Sequence, residues 1–287
     1  MTRGRKRPPG WVPQQHGAWA MLVVPAVTGT VLLVRDHGWR WVALPVLAIT
    51  VVGYFLLNAV TLWLKARRKP RYWPPVRAYA VACCLLGLAV LALGPGLAGW
   101  LVVAAPLLAV ALVLAARRRD RATLSGLVTV AAACLVTPVL WSAGLPSSPP
   151  LGAVAAFADA VTHRPEEVRV LAFVTLLQLA YFFGTVVYVK TMIRERGDRR
   201  WFVASVTYHA AMTVALLAAA LGGIRALTAG VSPTALVLAT AVLALAAVRA
   251  WAMPVLGPLR GRSITPLQVG LVEIGFSGAV LAACLLA

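Results

Sequence analysis

The sequence predicts an all-α, polytopic membrane helix bundle of about nine transmembrane helices, and three observations carry that fold class. Apolar residues make up 61% of the 287-residue chain and charged residues only 12%. Apolar runs of roughly 20 residues recur from end to end, the length a helix rising 1.5 Å per residue needs to cross a hydrocarbon core of about 30 Å. The 27 Lys and Arg residues fall almost entirely into every second gap between those runs.

The first run, 17–34, follows Arg3, Arg5, Lys6 and Arg7. It is long and lacks a small-residue cleavage site at its end, so it reads as a retained first helix after a basic N-terminal stretch, 1–15. The second run, 41–64, leads into Lys65, Arg67, Arg68, Lys69, Arg71 and Arg77. Runs 78–94 and 99–116 follow, and the latter ends in Arg117, Arg118, Arg119 and Arg121. The fifth run, 122–144, precedes the longest external segment, 145–167, which holds Pro146, Pro149, Pro150 and an amphipathic stretch, 152–161, suited to lying along an interface. The sixth, 168–189, ends in Lys190, Arg194, Arg196, Arg199 and Arg200; runs 202–222, 232–255 and 266–286 complete the set, with Arg260 and Arg262 before the last.

Only Arg35, Arg40, Arg164, Arg169 and Arg225 lie on the opposite side, with Arg249 inside a run. The bias places the N-terminus in the cytoplasm and the C-terminus outside. A net charge of +19 raises nucleic acid as a partner, but the basic residues sit in short loops between spans and carry no nucleic-acid motif. Membrane lipids with anionic headgroups are the expected partners. The chain reads as one transmembrane domain, 1–287. Cys83, Cys84, Cys134 and Cys284 all fall within spans without a CxxC pair and read as packing residues. Pro25, Pro45, Pro106 and Pro138 fall inside spans, where they kink helices or line a cavity. Asp159, His163, Glu166 and Glu167 offer only one imidazole and no helical pairing of it with a second strong ligand, so a solvated loop is expected there rather than a metal site. No cofactor is expected.

The candidate functional residues are the polar ones inside spans, because an ionisable group in hydrocarbon is costly unless it meets a partner or water. Measured from the cytoplasmic ends, His16 sits at the mouth of the first helix, Asn58 about two turns into the second, and Lys190 at the foot of the sixth. His209 and Glu273 lie about seven residues, or about 10 Å, into the seventh and ninth helices, and Arg249 lies near the inner end of the eighth. Six residues from six helices at one depth point to a polar cavity open to the cytosol. Plainer roles stand beside that reading: Asn58 bonding a neighbouring helix, Lys190 and Arg249 reaching to the headgroups, His209 as a core histidine. Glu273 cannot reach out in that way and needs Arg249, Lys190, His209 or a shared proton. Asn58, Thr61 and Lys65 share one helical face, and Lys190 and Arg194 repeat a four-residue step, so these donors suit phosphate or carboxylate.

Three segments carry a family resemblance: Pro13 to Leu22 (PQQHGAWAML), Tyr188 to Glu195 (YVKTMIRE) and Gln268 to Glu273 (QVGLVE). With them the chain resembles the YwiC-like family of bacterial membrane proteins, which implies a bacterial cell membrane and supplies no reaction. In layout alone the chain is similar to UbiA-type prenyltransferases, which hold a prenyl diphosphate through magnesium bound by aspartates after helices two and six. Setting Asn58 on the Asn of their first motif puts Ala59, Leu62 and Ala66 where carboxylates belong; in the second, Arg194 and Asp198 take the two acid positions. The usual magnesium chemistry is therefore not expected. Three functions stay open. One is a divergent UbiA-like enzyme in which Glu273 or His209 handles a proton while His16, Asn58, Lys190, Arg194 and Arg249 hold an amphiphilic anion such as an isoprenoid or lipid phosphate. The others are a proton-coupled transporter and a non-catalytic lipid-binding or assembly protein.

Overall fold

A computed structural model describes residues 10–13, 17–146, 152–223, 228–259 and 264–287. Within them every regular element is helical. In chain order these are α1 (Gly17–His37), α2 (Ala43–Lys65), α3 (Trp73–Leu93), α4 (Leu101–Ala116), α5 (Thr123–Cys134), α6 (Val136–Ser142), α7 (Gly152–His163), α8 (Pro165–Val189), α9 (Arg199–Ala218), α10 (Pro233–Leu259) and α11 (Pro266–Leu285). Nine helical stretches among the described residues are long and apolar enough to cross a membrane, matching the nine runs within a few residues at each edge. The main departures are the third, which starts at Pro70 rather than at 78, and the sixth, which starts at Pro165 and continues as a π-helical turn to Arg194.

The fifth span is built from two helices. Pro138 has no N–H to give the carbonyl four residues back, and the helix breaks at Leu135 between α5 and α6. At the same level α1 closes on α6, where a Cβ on Gly29 would stand 2.8 Å from the carbonyl oxygen of Thr137. Glycine is the residue that allows this approach, and small residues at helix crossings are how bundles pack where lipid supplies no hydrophobic drive.

Helix α8 is the axis of the bundle. In its most apolar stretch 61% of the residues are buried, against 6% for the span containing α3, whose Val81, Leu85 and Leu88 face outward. Val170, Leu171, Val174, Leu177 and Phe182 of α8 pack with Ala235, Ala239 and Val242 of α10 and with Val280 and Ala283 of α11. The α10 alanines are fully covered.

Contacts between gaps sort the ends of the bundle. At one end, Lys65 Nζ donates to Asp120 at 2.9 Å, Lys190 Nζ reaches Thr123 Oγ1 at 3.4 Å, and Arg196 donates to the Ile264 carbonyl at 2.7 Å. The basic gaps after spans two, four, six and eight thus gather at one end, hereafter the basic end. At the other, Trp141 Nε1 donates to Asp36 at 2.8 Å, Arg164 donates to His37 Nδ1 at 3.3 Å, and Ser232 donates to the Leu286 carbonyl at 2.6 Å. The amphipathic stretch in the long segment is helix α7, whose Phe157 packs against Trp100 and Trp141.

Candidate functional site

Helix α8 sets out the site through its own periodicity. Tyr181, Thr185 and Tyr188 recur at four- and three-residue steps and so share one face, with Gly184 between them. All are buried. Facing them, α11 enters from the basic end with a capping box, Thr265 to Gln268, and two turns later presents Glu273.

Glu273 and Arg249 of α10 form an ion pair whose side chains are only 10% and 4% exposed. Arg249 Nη1 donates to Glu273 Oε1. The other carboxylate oxygen, Oε2, accepts from Tyr181 Oη at 3.0 Å and Thr185 Oγ1 at 2.9 Å. A buried charge is tolerated when it is both paired and hydrogen bonded, and Glu273 is both. The Arg249 guanidinium lies over the rings of Tyr188 at 4.2 Å and Phe276 at 4.5 Å, so the cation meets two aromatic π systems. Its Nε and Nη2 are buried and have no hydrogen-bond partner among the described residues. Those are the two nitrogens of the side-on fork that binds a carboxylate or phosphate in bidentate fashion.

His209 of α9 is 3% exposed and joins the same stretch of α8. Its Nδ1 donates to the Ser205 carbonyl at 2.7 Å, which leaves Nε2 as the acceptor nitrogen, and that atom has no partner among the described residues. A Cβ on residue 184 would stand 2.9 Å from Nε2, so Gly184 is what lets α9 seat its histidine against α8.

The structure brings three of the sequence-derived candidates, Glu273, Arg249 and His209, against one face of α8. It sets the others apart. Lys190 is half-buried, with its ammonium 3.7 Å from the centre of the Trp201 ring and Thr123 as its hydrogen-bond partner; Arg249 is the cation paired with Glu273. Arg194 is exposed on the π-helical turn. Asn58 sits on α2, which packs mainly on α3 and α4; its amide nitrogen is buried without a partner, as is the Tyr54 hydroxyl one turn earlier. Lys65, which shares the Asn58 face, is taken up by Asp120. His16 lies outside the described residues. Asp198, the acid left at the second prenyltransferase-like position, caps α9 by accepting from the Arg200 amide at 2.8 Å. In the α7 segment, His163 pairs with Asp159 at 3.0 Å in an exposed contact.

Sequence reasoning passed over the neutral part of the site. Tyr181, Thr185, Tyr188 and Phe276 carry no charge, so a search for ionisable groups in hydrocarbon does not find them. Their signal is the helical spacing of hydroxyls on α8, readable once α8 is recognised as a span buried on most sides. A second neutral set lies deeper in α8: Thr137 Oγ1 donates to Gln178 at 2.9 Å, and Gln178 Nε2 contacts Cys284 Sγ at 3.7 Å.

Compared with known proteins, residues 12–141 match the YwiC-like protein family. The uncharacterized protein YwiC of Bacillus subtilis (strain 168) is 29% identical to this chain over 201 residues, which is 69% of this chain and 73% of that protein. No solved structure matches the chain. The family match covers the first five spans, whereas Glu273, Arg249 and His209 belong to the last three.

Proposed function

We propose that this chain, a YwiC-like multi-pass membrane protein, binds an amphiphilic anion at the buried cluster around Arg249. One observation carries the reading: a guanidinium that gives a single nitrogen, Nη1, to Glu273 keeps its bidentate fork buried and without a partner among the described residues. Burying a donor without an acceptor costs about 1–3 kcal/mol, more when the donor is charged, so two such donors in one membrane-embedded residue mark a place for an acceptor. A head with two oxygens, carboxylate or phosphate, supplies it. An apolar tail suits a site reached from among helices whose outer faces are lined by Leu and Val.

On this reading the protein lies in a cytoplasmic membrane with its N-terminus inside, as the asymmetry of the basic gaps implies. The head then sits in the inner half of the bilayer, about two turns above the start of α11. Lys190, on the same helix as Tyr188 but nearer the basic end, gathers anions toward the site rather than holding them.

The test is native mass spectrometry of detergent-purified protein with extraction of bound lipids, on wild type and on the double variant Arg249→Gln, Glu273→Gln. Both replacements are neutral, and Gln keeps the shape of Glu, so the pair is removed without stranding a charge. An anionic amphiphile retained by wild type and lost from the folded double variant supports the reading. An equal content of anionic lipid in both proteins refutes it.

A further inference from the structure

Resting on the anion reading just given, we infer that binding of the anion is linked to uptake of one proton, carried by Glu273. The argument is one of charge balance. Among the described buried residues Arg249 is the one fixed cation and Glu273 the one carboxylate, so the cluster is neutral as a pair. Bringing a second anion onto the free Nε and Nη2 fork leaves two negative groups sharing one guanidinium, and a net charge in the membrane interior. Two acids competing for one cation in a dry site do not both stay ionised. A proton taken from bulk water onto the Glu273 carboxylate restores neutrality: Arg249 then balances the incoming anion, and Glu273 becomes a neutral carboxylic acid.

The surroundings of Glu273 suit both states. While it is ionised, Tyr181 and Thr185 donate to Oε2. A hydroxyl both donates and accepts, so either can turn to accept from a protonated carboxyl without leaving its place. Helices α8, α9 and α10 bring titratable or hydroxyl groups toward Glu273. Helix α10 contributes Arg249, and α8 contributes Tyr181, Thr185 and, beyond the guanidinium, Tyr188. Helix α9 contributes His209, whose Nδ1 is committed to the Ser205 carbonyl and whose Nε2 is pressed toward Gly184. Helix α1 also packs on α11, but its described charged residues, Arg35, Asp36 and His37, lie at the far end of the bundle. Lys190 is held over Trp201. No described neighbour offers a second buried cation, which leaves the proton as the balancing charge.

The experiment uses 1-octanesulfonate, an amphiphilic anion whose own charge is constant from pH 6 to pH 9. Its binding to the purified full chain is measured by calorimetry across that range, in pairs of buffers with different ionisation enthalpies. Proton uptake linked one to one weakens binding by about tenfold per pH unit wherever the free Glu273 is ionised. The buffer pairs report directly the uptake of about one proton per anion. In Glu273→Gln, which holds the cluster in its neutral-acid form, the slope falls to zero and binding at pH 8 is tighter than in wild type. A residue with only a structural role would not tighten binding when replaced. His209→Asn keeps the slope.

Binding that is independent of pH in wild type overturns the linkage and leaves the anion reading standing. A slope that survives Glu273→Gln overturns the assignment to Glu273. Absence of any binding in wild type and in Glu273→Gln overturns the anion reading itself, and the linkage with it.

Discussion

Two ion pairs divide this molecule into regions that follow different rules. Lys65 and Asp120 join the end of α2 to the loop after α4 at the basic end, with side chains 34% and 23% exposed. Arg249 and Glu273 join α10 and α11 against α8, at 4% and 10%. Both are a cation beside a carboxylate. In the first, water and salt screen the charges, and the attraction is offset by the cost of ordering two flexible side chains. In the second neither charge can be solvated, so each depends on the other and on the hydroxyls around it. The same chemical pair is thus a minor tether in one region and, in the other, a pair of which neither partner can be removed alone without a large cost.

The largest expected effect comes from breaking the buried pair on one side only. Arg249→Leu leaves Glu273 with hydroxyls and no cation, and is expected to destabilise the protein by about 3–5 kcal/mol. Adding Glu273→Leu removes the stranded carboxylate and recovers most of that loss. Thermal unfolding in detergent of the two single variants and the double variant yields the coupling energy. Additive losses would show that the pair is no more interdependent than the one at the loops, and the contrast between the regions would collapse.

Most of the fold was open to reading from the sequence, because the physical signal for a span is coarse: length, apolarity and the sign of the gaps. Nine spans and their sorting into two ends follow from that signal alone. The site was open only in part, for a reason specific to its residues. Glu273 announces itself, since a carboxylate two turns inside an apolar helix requires a partner. That the partner is Arg249 and not Lys190 depends on the rotation of α10 and α11 about their axes, which apolar composition hardly specifies when every face is apolar. Lys190 finds an aromatic face in Trp201, a contact between residues 11 positions apart across the turn from α8 to α9. Asp120 stands among Arg117, Arg118, Arg119 and Arg121; its pairing with Lys65 needs the end of α2 to lie beside the turn between α4 and α5, a tertiary fact with no local mark.

A second prediction tests how closely the buried region is fitted. Gly184→Ala places a methyl group 2.9 Å from His209 Nε2 and 3.0 Å from the Tyr208 ring, and α9 must yield to admit it. Overpacking of this kind costs about 1–3 kcal/mol. Combining it with His209→Ala removes the nearer obstacle, so the double variant is expected to unfold at a higher temperature than Gly184→Ala alone. By contrast, Gly53 on α2 meets nothing within 4 Å of its notional Cβ, and Gly53→Ala is expected to be neutral or slightly stabilising. Equal sensitivity at the two glycines would erase the distinction between a fitted axis and a loosely packed flank.

The smallest effect belongs to the pair at the loops. Lys65→Met keeps most of the apolar stem and removes the charge, and Asp120→Asn keeps the shape and removes the opposite charge. Each is expected to cost at most about 1 kcal/mol, and less as salt is added, because ions reduce the attraction between groups that water already reaches. The buried pair, closed off from the same ions, should show a coupling energy that barely changes with salt. Measuring both cycles at low and high ionic strength places the two regions on one scale. If the Lys65–Asp120 coupling resists salt as well as the Arg249–Glu273 coupling does, the loop pair is shielded by neighbouring headgroups or chain, and the boundary between the two regimes lies nearer the basic end than Lys65.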